Sequence, residues 1–180
     1  MPAVELSTEK DVKRFLTATF KLRRKPFDPV PSWAFRSATG GFLEVMTVTN
    51  HHGTFTTTEA QLWGVPEWRV PDREALERLH RSLKGSAPFD LPAALMELPT
   101  YDAKPLPPLC KVFDVIQQSE PTTATHIDTK YLALMSPLIE LHTGPMCHAE
   151  ISMRGAGKDL PAALISVAPW FEGVIMGCKA

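Results

Sequence analysis

The sequence predicts an α+β fold: a single domain on an antiparallel sheet with three or four helices, preceded by a basic, Pro-rich N-terminal arm. Three observations predict it. The chain has 180 residues, enough for one domain with a core that needs neither disulfide nor metal. The segment 71–85, "PDREALERLHRSLKG", carries one apolar stripe at helical spacing, while 42–49, "FLEVMTVT", is rich in strand formers. After residue 110 the pattern turns to short β-rich runs, and no internal repeat is visible.

Taken in order, Ser7 or Thr8 can cap a first helix, with Asp11 three residues after Thr8. Val12, Phe15, Leu16 and Phe20 follow at helical spacing, so 9–20 reads as amphipathic, although "LTATFKL" also alternates as a strand would. Residues 25–33, "KPFDPVPSW", hold three prolines and read as extended chain. The arm is therefore drawn as residues 1–36, with exposed aromatics Phe27, Trp33 and Phe35 in its linker, and the globular domain as 37–180. "NHHG" (50–53) is a turn, and Thr58 starts a short helix with Gln61 as the partner of a capping box. The 71–85 helix takes Asp72 as cap and Gly85 as stop, and buries Ala75, Leu76, Leu79 and Leu83. A shorter helix begins at Asp90, with Pro92 in its first turn. Residues 99–110 read as an exposed loop. Strands are expected at 111–118, 126–134, 138–143 and 147–154. "GAGKD" is a turn, 159–167 a helix capped by Asp159, and 172–178 a last strand.

The net charge is near zero but unevenly spread. Lys10, Lys13, Arg14, Lys21, Arg23, Arg24 and Lys25 face a single acid, Asp11, over the same stretch, and the body is mildly acidic. Such a cluster suits lipid or RNA phosphates. No signal-peptide pattern, membrane-length apolar run or CxxC is present, so a protein of a reducing compartment is expected.

Recognisable chemistry is sparse. GxSxG, P-loop, GxGxxG and HExxH are all missing. His51 and His52 are adjacent and diverge. Cys147 and His148 point to opposite faces of any strand, which leaves Cys147 with His126 or His142 as the open Cys–His pairing. Zinc needs four ligands in a tetrahedron, and no second pair stands at ligand spacing beside His142 and Cys147. Neither catalytic residue, metal nor cofactor is expected. "KPLPPL" (104–109) has the form of a polyproline ligand, and a stiff loop is the plainer reading.

The stretch "FLEVMTV", a short N-H-H turn, then "TFTTTEAQLWGVPEW" resembles the matrix proteins of rhabdoviruses, of the vesiculovirus type. The family's next helix would fall on "DREALERLHRSL", and "CHAEISMRGAGKDLPAALISV" (147–167) follows its C-terminal outline. The resemblance spans 35–180 in order. It lacks the PPxY and P(T/S)AP motifs that members carry in the arm, where "DPVPSW" is a stand-in. It implies a non-enzymatic structural protein that self-assembles beneath a viral envelope and links anionic lipid to the ribonucleoprotein. Under that reading the seven cations listed above meet lipid or RNA phosphates. Phe27, Val30, Pro31 and Trp33 dock on a neighbouring copy, so the partners are self, anionic lipid and nucleocapsid RNA, with no small-molecule substrate. The alternative is a small bacterial α+β enzyme or binding protein using Cys147, His126 and His142.

Overall fold

A computed structural model describes residues 6–22, 33–38, 42–49, 52–58, 69–102, 118–122, 126–127, 129–143, 148–155, 161–167 and 171–176. The α+β class holds. Among the described residues eight strands form one antiparallel sheet and four helices accompany it. The strands are β1 Trp33–Ala38, β2 Phe42–Thr49, β3 His52–Thr58, β4 Arg69–Pro71, β5 Thr100–Asp102, β6 Glu150–Gly155, β7 Pro161–Val167 and β8 Phe171–Met176. The helices are α1 Glu9–Lys21, α2 Arg73–Ser82, α3 Leu91–Glu97 and α4 Thr129–Thr143. The sheet runs β5-β4-β1-β2-β3-β8-β7-β6, so the last three strands join the first set through β3 and β8.

Local capping sets three of the helix starts. Thr8 Oγ1 accepts from Asp11 N at 3.3 Å, Asp72 Oδ1 from Ala75 N at 2.8 Å, and Asp90 Oδ1 from Ala93 N at 2.9 Å. Each satisfies one of the N–H groups that a helix start leaves without an internal partner. α1 then buries Val12, Phe15, Leu16 and Thr19, spaced three and four apart, against the sheet. Across the sheet, register aligns Phe35, Val45, Phe171 and Val167 in one row and Trp33, Thr47, Gly173 and Ile165 in the next. The apolar side chains of these rows form one core with residues of α1, α2, α3 and α4. At Gly173 a Cβ would sit 2.8 Å from Met135 Sδ, so the missing side chain is what lets α4 lie this close to β8.

The structure corrects several expectations. The described residues of the expected arm over 1–36, namely 6–22 and 33–36, are not detached from the body. Val12, Phe15 and Leu16 of α1 are fully buried, and β1 pairs with β2 along its whole length, so α1 and β1 are parts of the folded body. Trp33 and Phe35 are core residues, not exposed aromatics. Segments 126–134 and 138–143 are not strands, because 129–143 is one helix with Pro137 inside it. Its buried residues Tyr131, Met135, Leu138, Ile139 and His142 recur at helical spacing. Segment 159–167 is not a helix. Residues 161–167 pair on both sides as β7, which buries Ala163, Ile165 and Val167 in alternation. Tertiary pairing there outweighs the helix preference of "PAAL". Thr58 ends strand β3 instead of opening a helix, and residues 59–68 lie outside the described set. Residues 100–102, expected in a loop, form β5 on β4. Of the strand expected over 111–118, residues 111–117 also lie outside the described residues, and Gln118 stands in a turn.

Candidate functional site

The cationic stripe of α1 follows from its spacing. Lys13, Arg14 and Lys21 lie three, four and eleven residues after Lys10, which places them along one side of a helix of 3.6 residues per turn. That side flanks the buried stripe, so the amphipathicity that seats α1 on the sheet also turns these cations outward.

Two other elements turn the stripe into a concavity. The connection after α2, Leu83 to Ser86, forms one wall, and Pro137 and Glu140 of α4 form another. The groove encloses about 570 Å³. Its lining includes five cations, Lys10, Lys13, Arg14, Lys21 and Lys84, against one carboxylate, Glu140. Thr17 and Ser86 add hydroxyl groups.

The walls are tied together by direct bonds. The Glu9 carboxylate accepts from the backbone N–H of Lys84 at 3.0 Å and of Gly85 at 2.6 Å. Glu9 N donates to Ala87 O and Phe89 N to Ser7 O, each at 3.0 Å. Lys13 Nζ donates to the Leu83 carbonyl at 2.9 Å. Thr17 Oγ1 lies 2.8 Å from His80 Nε2, and the His80 ring packs on Phe20. On the α4 side Arg14 Nη2 meets Glu140 Oε1 at 3.0 Å, with both side chains about half exposed. Such a surface pair contributes little, about 0–1 kcal/mol. Lys10, Lys21 and Lys84 have no ion-pair partner among the described residues.

The structure thus brings together four of the seven predicted phosphate-contact residues: Lys10, Lys13, Arg14 and Lys21. Arg23, Arg24 and Lys25 lie outside the described residues, as do Phe27, Val30 and Pro31. Trp33, expected to dock on a neighbour, is instead committed to its own core: its indole N–H donates to Thr19 Oγ1 at 3.1 Å. Sequence reasoning missed Lys84 and Glu140. Lys84 read only as the end of a helix, and Glu140 lay in a segment taken for a strand.

The Cys–His alternative finds no assembled site among the described residues. Cys147 lies outside them, and His126 is exposed. His142 is buried on α4 beside the Phe171 ring, and neither ring nitrogen has a hydrogen-bond partner. Desolvation by burial lowers its pKa from 6.5 to about 4. His142 is therefore neutral at pH 7. Among the described residues no cluster of three or more His, Cys, Asp or Glu side chains is placed to hold a metal ion.

The sign of its effect on stability follows. Between pH 6.5 and 4 the unfolded chain binds a proton that the folded chain refuses, so stability falls as pH drops through that window. Above it, this group has no effect. The full loss is about 3 kcal/mol. Denaturant midpoints from pH 7.5 to 4 check this: His142→Leu is expected to have a flatter profile than the native chain. Parallel profiles would show that His142 does not contribute.

No known protein family, curated protein or solved structure matches this chain.

Proposed function

We propose that the chain is a structural, non-enzymatic protein that attaches peripherally to anionic lipid through the α1 groove, as a matrix-type coat protein would. The observation that carries this reading is the groove itself, where five cations from two separate parts of the chain converge against one acid. Lipid is favoured over RNA because none of the described residues that line the groove is aromatic. Single-stranded RNA is ordinarily held by stacking on aromatic rings as well as by charge. The cations of the groove make attachment by this route electrostatic, and among the described residues no helix is long and apolar enough to cross a membrane. Self-assembly and a link to a nucleocapsid complete the matrix-type reading. With Trp33 committed to the core, self-assembly would have to use other residues.

Vesicle flotation tests the proposal. The native chain is expected to float with phosphatidylserine–phosphatidylcholine vesicles, to stay in solution with phosphatidylcholine alone, and to be released as salt rises past the point where exposed charges are screened. Equal binding to both vesicle types would overturn it, as would a preference for mixed-sequence single-stranded RNA over anionic vesicles at the same salt.

A further inference from the structure

The groove is more than a charged surface. A membrane is broad, and a flat cationic face would meet it more fully than a concavity does. A volume of about 570 Å³ falls in the range of small-molecule pockets. Lys10 and Lys21 stand at opposite ends of the stripe, roughly 16 Å apart along the helix axis. Lys84 approaches from the opposite wall, on a backbone fixed by the Glu9 carboxylate. Cations at both ends and across the groove suit a ligand with charge at more than one point better than a single small anion.

Glu140 gives the groove a second property. Among the described residues it is the one carboxylate in the lining, and it is bonded to Arg14. This pair keeps the guanidinium on the α4 wall. A phosphate offers Arg14 a more highly charged, bidentate acceptor and would repel Glu140. The surface pair is weak enough to exchange.

Building on the reading above, we propose that the groove is a discrete site for one compact ligand carrying two or more phosphate groups, and that Glu140 is the internal counter-ion which such a ligand displaces from Arg14. The ligand is either a phosphorylated lipid headgroup or a free polyphosphate. Both present the same chemistry to the groove.

Calorimetric titration of the full chain with tripolyphosphate and with inorganic phosphate, at matched ionic strength, tests the site. Tripolyphosphate is expected to bind one to one and at least about tenfold more tightly than phosphate. Glu140→Gln is expected to tighten it about fivefold, and Lys84→Gln to weaken it about fivefold. Both side chains are solvent-accessible, so neither change disturbs the core, and thermal melts verify this. Binding of several tripolyphosphate ions per chain would overturn the proposal, as would equal affinity for the two anions or no gain from Glu140→Gln. Vesicles containing a bisphosphorylated inositol lipid, set against phosphatidylserine vesicles of equal charge, separate the two sources. A preference for the inositol lipid identifies a headgroup. Equal binding, alongside tight tripolyphosphate binding, identifies a free polyphosphate. If anionic vesicles are bound but tripolyphosphate is not, the peripheral lipid reading stands and the discrete site falls.

Discussion

Trp33→Ala is expected to lower the stability of the isolated chain by about 3–5 kcal/mol, the range for truncating a buried large aromatic. Trp33 is only 4% exposed, packs near the Phe35 ring and belongs to the core cluster that includes α1. Its indole bonds the hydroxyl of Thr19, which itself donates to the Leu16 carbonyl. The substitution would therefore open a cavity where β1 meets α1 and leave that hydroxyl without its donor. A typical domain has about 5–15 kcal/mol in total, so the loss would be a large share of the stability. Trp33→Phe keeps most of the volume and is expected to cost clearly less. Urea denaturation monitored by far-ultraviolet circular dichroism measures both. An unchanged midpoint combined with weaker self-association would return Trp33 to an interface.

The second large effect concerns binding. Replacing Lys10, Arg14, Lys21 and Lys84 together by glutamine is expected to reduce affinity for phosphatidylserine vesicles by roughly three orders of magnitude at low salt. Each cation near an anionic surface contributes about 1 kcal/mol, and four amount to about 4 kcal/mol. Folding should be little affected, because all four residues are exposed and, among the described residues, Arg14 alone of the four has an ionic partner, in a pair that is itself about half exposed. Flotation at constant lipid reads the loss, and urea midpoints verify the fold. Binding undiminished by the four changes would move the contact elsewhere on the chain.

How much of this was legible in the sequence depends on how local each cause was. The caps at Thr8, Asp72 and Asp90 were readable because a side chain and an amide three residues on decide them. Strand β2 was readable to its ends because its Val and Thr content is dense and its neighbours are turn formers. α4 was not. It is apolar on most sides, so no polar face marks the helical period, and Pro137 looked like a break between two strands. β7 was misread for the converse reason. Its alanines favour helix in isolation, and only pairing with β6 and β8 on its two sides selects the extended form. Half of the candidate site was visible as the run of cations in α1. The other half, Lys84 and Glu140, depends on contacts between segments far apart in the chain, which no local pattern records.

The junction between β3 and β8 has a consequence for synthesis. Thr56 pairs with Phe171, so the middle of the sheet is closed by a strand that leaves the ribosome more than a hundred residues after its partner. Until then β3 presents a bare row of amides and carbonyls, the kind of edge that recruits stray chains. A stop codon shortly before Phe171 should therefore yield an aggregating product instead of a smaller soluble one, even though every residue of the cationic groove would already have been translated.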